Sequence, residues 1–169
     1  MAETRLTPTS YVVLGLIEQM QPASPYDLKL AVAAGVGQFW SLPHTQLYSE
    51  CGRLAEAGLL SERREESGRR RRLYRLNGAG TKALDRWREE PTSELYELRD
   101  AGLLKLFFGA DPAKLAADQL DAHTERLREY ERQVEECKSM KAPRGVIHAI
   151  EAGIGHEREY VRFWSKLRK

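Results

Sequence analysis

The sequence changes its hydrophobic period once, and that change limits the folds open to it. Up to Gly58 the apolar residues recur at helical spacing. Residues 60–66 and 70–76 instead read as two short strands around Ser67 and Gly68, a tight-turn pair. Tyr74 and Leu76 alternate with Arg75, the two-residue period of a strand. Three helices followed by a two-stranded hairpin is the order of a winged helix-turn-helix. In that arrangement the third helix enters the DNA major groove and the hairpin forms the wing.

Local signals place the helices. The first spans residues 8–20, with Thr7 or Thr9 as cap and Gln21-Pro22 as its end. Ser24 followed by Pro25 starts a second helix, which Gly35 and Gly37 stop. Ser41 is the expected cap of the third, whose inner face carries Leu47, Cys51 and Leu54 and whose end is marked by Gly58. Gly52 sits inside this helix, where glycine costs about 1 kcal/mol relative to alanine. The helix is therefore less rigid there, or something packs closely on Gly52. Asn77 caps a fourth helix reaching about residue 90, and Pro91 with Thr92-Ser93 marks a boundary.

The second half predicts three helices. A short one covers residues 93–108, and Asp111 with Pro112 starts a long one to about residue 140. Pro143 breaks it, and a final amphipathic helix follows. Leu120, Leu127 and Val134 recur every seven residues, with His123, Tyr130 and Cys137 three positions after each, approximating a heptad seam. The expected fold is mostly α, an α+β winged helix. Residues 1–90 form the winged helix-turn-helix, and residues 91–169 form an antiparallel helical dimerisation domain.

Charge is informative only locally. The net charge is +2, and residues 69–75 hold five of the 27 Lys and Arg. Cys51 and Cys137 are isolated, without disulfide or metal-ligand spacing. The N-terminus lacks the basic region and cleavage site of a signal peptide, and no apolar run is long enough to span a bilayer. A cytoplasmic, reducing compartment is expected. His44, His123, His148 and His156 show no carboxylate or cysteine partners at metal-ligand or triad-like spacing. There is also no phosphate-binding glycine loop and no nucleophile elbow. No enzyme, no metal and no cofactor is expected.

Three stretches carry a family resemblance in the right order: TSYVVLGLIEQMQPASPYDL, LPHTQLYSECGRLAEAGLL and RRLYRLNGAGTKAL. With LLKLFFGADPAKLAADQLDAH and EREYVRFWSKL further on, the chain resembles the PadR family of transcription regulators over most of its length. Pro25 stands where that family commonly has Gly, and Cys51 where it usually has a larger apolar residue. The resemblance implies that Tyr48 and its polar neighbours on the third helix meet DNA. His44, Thr45, Gln46 and Ser49 lie near that helix's start, where side chains can reach base edges. Arg69, Arg70 and Arg71 at the hairpin tip can track phosphates or enter the minor groove, whereas strand alternation turns some of Arg72 and Arg75 away. Ser24 and Tyr26 could add phosphate contacts.

The family further implies a homodimer bound to double-stranded DNA at an inverted repeat, most simply as a repressor. Leu120, Leu127, Val134, Val161 and Trp164 are the candidates for burial between chains or between the last two helices. Many members respond to small aromatic or hydrophobic effectors. Phe39, Trp40, Phe107, Phe108 and Trp164 are candidate lining residues, although core packing is the simpler account of each. Two rival functions share the fold, a protein-interaction adaptor and an RNA-binding winged helix. The balanced charge outside the wing permits the first.

Overall fold

The computed structural model describes residues 5–66 and 70–168. The first helix, α1 (Pro8–Met20), starts at Thr7, whose hydroxyl accepts from the Ser10 N–H. The Ser10 hydroxyl accepts from the Thr7 N–H in return, at 2.8 Å. The same reciprocal cap opens α2 (Pro25–Ala34): the Ser24 N–H donates to Asp27 Oδ2 at 2.8 Å and the Asp27 N–H donates to Ser24 Oγ at 3.3 Å. Each cap satisfies donors that a helix leaves open and is worth about 1 kcal/mol.

A turn of 3-10 helix, Val36–Gln38, leads towards α3 (His44–Glu56). The expected cap, Ser41, is not used. Pro43 occupies the N-cap position and offers no side-chain hydrogen bond. A proline disfavours helical geometry in the residue before it, so the helix cannot begin until Pro43 has been passed. The end of α3 follows its glycine. Gly58 has φ +73°, and the Gly58 and Leu59 N–H groups donate to the carbonyls of Ala55 and Leu54. That closes the last turn and aims the chain into the sheet.

Strands β1 (Leu60–Arg64) and β2 (Arg72–Leu76) are antiparallel, with Leu60 opposite Leu76 and Arg64 opposite Arg72. Both are shorter than the sequence pattern suggested, and the turn residues Ser67 and Gly68 lie outside the described residues. Ala23, between α1 and α2, adds a bridge to Tyr74 through two backbone hydrogen bonds of 3.1 and 2.8 Å. Asn77 then caps α4 (Gly78–Glu89): its Oδ1 accepts from the Ala79 and Gly80 N–H groups, and its Nδ2 donates to the Gly58 carbonyl.

The chain falls into two units, Met1–Glu94 and Leu95–Lys169. One buried cluster holds the first. Leu14 and Ile17 of α1, Leu28 of α2, Leu47, Cys51 and Leu54 of α3, and Leu84 of α4 meet Leu60 and Tyr74 of the hairpin. Burying each large apolar side chain contributes about 2 kcal/mol.

In the second unit the helix expected over residues 93–108 is reduced to α5 (Ala101–Phe107), capped by Asp100. Residues 91–99 are exposed, Leu95 to 93%. A short helix without a buried face gains too little from packing to offset its nucleation. Helices α6 (Pro112–Ser139) and α7 (Arg144–Leu167) form an antiparallel hairpin. Asp111 caps α6, accepting from the Ala113 and Lys114 N–H groups. The seven-residue stripe on α6 faces inward, and Tyr130 and Val134 pack with Ile154 of α7. The Tyr130 ring lies against Gly153, where an added Cβ would sit 3.1 Å from it. Val134 and Trp164 are buried already within the single chain, at 5% and 0% exposure. Leu120, Leu127 and Val161 remain half-buried.

Two glycines have opposite surroundings. A Cβ on Gly80 would overlap the Leu59 carbonyl oxygen, whereas nothing among the described residues lies within 4 Å of one on Gly52. Nothing among the described residues packs closely on Gly52, so they do not offset its cost to the helix. Gly80→Ala should lower the unfolding free energy by about 2 kcal/mol, and Gly52→Ala should raise it by about 1 kcal/mol. Urea denaturation of both variants checks this. Equal stabilities would mean that the Leu59 carbonyl yields freely.

Candidate nucleic-acid interface

Helix α3 separates cleanly into two faces. Leu47, Cys51 and Leu54 are fully buried, while His44, Thr45, Gln46, Tyr48 and Ser49 are exposed, Tyr48 to 51%. The Ser49 hydroxyl donates back to the carbonyls of Thr45 and Gln46 at 3.3 and 3.2 Å, leaving its oxygen as an acceptor. Pro43 at the cap offers no side-chain acceptor to the leading N–H groups of the helix; its carbonyl accepts from the Gln46 N–H at 3.0 Å.

A brace that sequence reading missed fixes α3 to α1. Arg53 donates to Glu50 through Nε at 2.9 Å and Nη2 at 2.6 Å, and Nη2 also reaches the buried Ser10 hydroxyl at 3.0 Å. The Arg53 guanidinium holds the Glu50 carboxyl below its ordinary range. The only sequence signal was an acid and an arginine three positions apart, a common surface pattern.

Tyr26, in the first turn of α2, is 53% exposed. Ser24 is not available in the same way. It is 2% exposed, and its hydroxyl donates to Asp27 Oδ2 at 2.7 Å while accepting from the Asp27 N–H. The expected phosphate contact from Ser24 is therefore corrected: the cap consumes the hydroxyl. The Asp27 carboxyl is held below its ordinary range by the Ser24 N–H, then by the Ser24 hydroxyl, with a smaller pull from the Arg71 guanidinium.

On the wing, Arg69 lies outside the described residues. Arg70 is exposed, takes a left-handed backbone conformation (φ 48°), and has no ion-pair partner among the described residues. Arg71 forks onto Glu65, with Nε to Oε2 at 3.0 Å and Nη2 to Oε1 at 2.9 Å. Arg72 and Arg64 approach Glu62 Oε1 at 3.5 and 3.6 Å, and the Tyr74 hydroxyl donates to Glu62 Oε2 at 3.2 Å. The carboxylates Glu62 and Glu65 were missed as partners. Their signal was a mirror spacing about Gly68, visible once the strand register is known.

The exposed face of α3 and the arginine hairpin thus belong to one unit. Residues 13–86 match the transcriptional regulator PadR-like family. Residues 13–86 thus form a PadR-like family domain, the family of transcriptional regulators that the sequence resembles. It is 28% identical over 142 residues to the negative transcriptional regulator PadR of Bacillus subtilis (strain 168), covering 79% of this chain and 76% of that protein. Its fold matches the crystal structure of B. subtilis PadR in complex with operator DNA, with a TM-score of 0.84, 22% identity and 97% of each chain covered. The structure of the same protein with p-coumaric acid matches with a TM-score of 0.77, at the same identity and coverage.

The aromatic candidates for an effector site belong to both units. Phe39 and Trp40 are exposed in the first unit. Phe107 and Phe108 meet edge to face, with ring centres 5.3 Å apart, and are 83% and 77% exposed. Trp164 is fully buried, and its indole Nε1 has no hydrogen-bond partner among the described residues. Two histidines have carboxylate partners that their sequence spacing does not disclose. His123 Nδ1 lies 2.6 Å from Glu157 Oε2 across the α6–α7 hairpin, and His148 pairs with Glu151 at 3.1 Å. No group of three candidate metal ligands occurs among the described residues. No described helix is long and apolar enough to cross a membrane.

The two thiols differ. Burial and the neighbouring Glu50 charge push the Cys51 thiol up to about 12, while Cys137 is only half-buried. A thiol reagent at pH 8 should therefore modify Cys137 in the native protein and Cys51 only after denaturant is added, because the thiolate is the reactive form. Two fast thiols in the native protein would show that α3 opens readily from the core.

Proposed function

We propose that this chain is a repressor that binds duplex DNA as a homodimer through its first unit, at an inverted repeat. The observation that carries the reading is the joint placement of an exposed polar α3 start and an arginine-bearing hairpin in one core. An α-helix fits the major groove, and the open N–H groups at its start favour phosphate. His44, Thr45, Gln46, Tyr48 and Ser49 are the side chains for the groove. Arg70 and Arg71, with Tyr26, supply phosphate contacts that fix the register.

Pairing of two copies doubles the contact and sets half-sites about one helical turn apart. The half-buried Leu120, Leu127 and Val161 of the second unit have surface left for a partner helix. Repression is supported by the negative regulator to which the chain is 28% identical, and DNA binding by its likeness to PadR in complex with operator DNA. The likeness to PadR bound to p-coumaric acid supports release by a small aromatic or hydrophobic molecule. Such a molecule must favour a dimer arrangement whose recognition helices no longer match the operator spacing.

Selection of duplexes from a random pool, at two salt concentrations, tests this reading. The expected result is an enriched inverted repeat and a dimeric mass. Arg70→Ala with Arg71→Ala should weaken binding to every duplex and reduce the salt slope by at least about one. Gln46→Ala should change the preferred sequence. Absence of any salt-sensitive duplex binding would overturn the proposal and favour an adaptor; preference for structured RNA would favour the RNA-binding alternative.

A further inference from the structure

The wing carries its own anions, and one of them is placed as a ligand would be. Glu65 continues the hairpin just beyond β1, its N–H donating to the Arg71 carbonyl at 3.0 Å. Its two carboxylate oxygens accept from Nε and Nη2 along one edge of the Arg71 guanidinium, at 3.0 and 2.9 Å. This parallel fork is the geometry by which arginine also holds a phosphate. The pair is open to solvent, with side-chain exposures of 50% for Arg71 and 26% for Glu65. An ion pair so exposed contributes little to holding a hairpin together. The hairpin base is already fixed by the Leu60–Leu76 ladder and the Ala23–Tyr74 bridge.

We propose that Glu65 stands in for a DNA phosphate on Arg71 in the free protein and thereby acts as a specificity-determining residue. The inference rests on the DNA-binding reading above. Loosely docked DNA is held almost entirely by charge. To such DNA the Arg71–Glu65 pair presents little net charge. Close docking, set by the α3 contacts, brings a phosphate near enough to displace the carboxylate. Arg71 then strengthens the specific complex more than the non-specific one.

The test uses the full chain, a fluorescent duplex of scrambled sequence and the duplex enriched from the random pool, each titrated over a range of salt. Glu65→Gln should tighten binding to the scrambled duplex roughly 1.5- to fivefold, the scale of one exposed ion pair. It should also steepen the salt slope by up to about 0.9. Affinity for the enriched duplex should rise less, so the ratio of the two falls. In an Arg71→Ala background the same substitution should have no such effect. Unchanged or weaker binding of Glu65→Gln overturns the proposal. So does equal tightening in the Arg71→Ala background, which would reflect net charge alone. Wild-type protein that binds neither duplex overturns the DNA-binding reading itself, and this inference with it.

Discussion

The first unit depends on a short backbone bridge. Two hydrogen bonds between Ala23 and Tyr74 tie the α1–α2 connection to the returning strand of the hairpin. A two-stranded ribbon alone is marginal in water. Here Gln21 adds a third tie, its Oε1 accepting from the Leu76 N–H at 2.9 Å, and Tyr74 carries the ribbon into the helical core. The hairpin and α3 therefore share one core through Tyr74, Leu60, Leu47 and Leu54. The hairpin and α3 keep a fixed relation because the same buried side chains hold both.

The caps show what a sequence discloses readily. Thr7, Ser24, Asn77 and Asp111 each act on N–H groups two or three residues away, so the whole interaction lies within a few letters. Ser41 misled for an equally local reason, since Pro43 comes between it and the helix. Residues 93–100 misled because their apolar content was legible but its burial was not; Leu95, Tyr96 and Leu98 stay exposed.

The candidate site divides along the same line. The outward residues of α3 follow from helical spacing once Leu47, Cys51 and Leu54 are taken as its inner face. Ser24 shows the limit: a hydroxyl at a helix start suits a phosphate or a cap, and only the Asp27 geometry decides between them. Pairs such as Arg53 with Ser10, or His123 with Glu157, join residues 43 and 34 positions apart. Neither distance repeats any period that a chain could display.

The uncapped start of α3 has a dynamic consequence. Pro43 supplies no side-chain acceptor; its carbonyl takes the Gln46 N–H at 3.0 Å, and the His44 and Thr45 amides ahead of it have no acceptor among the described residues. The turn that faces outward is also the turn with the least internal support. Its amide protons exchange with solvent by local opening, while those around Leu47 and Cys51 exchange only when the core opens. A ligand that supplies acceptors at that end damps the opening there, and part of its binding entropy is the ordering of a single helical turn.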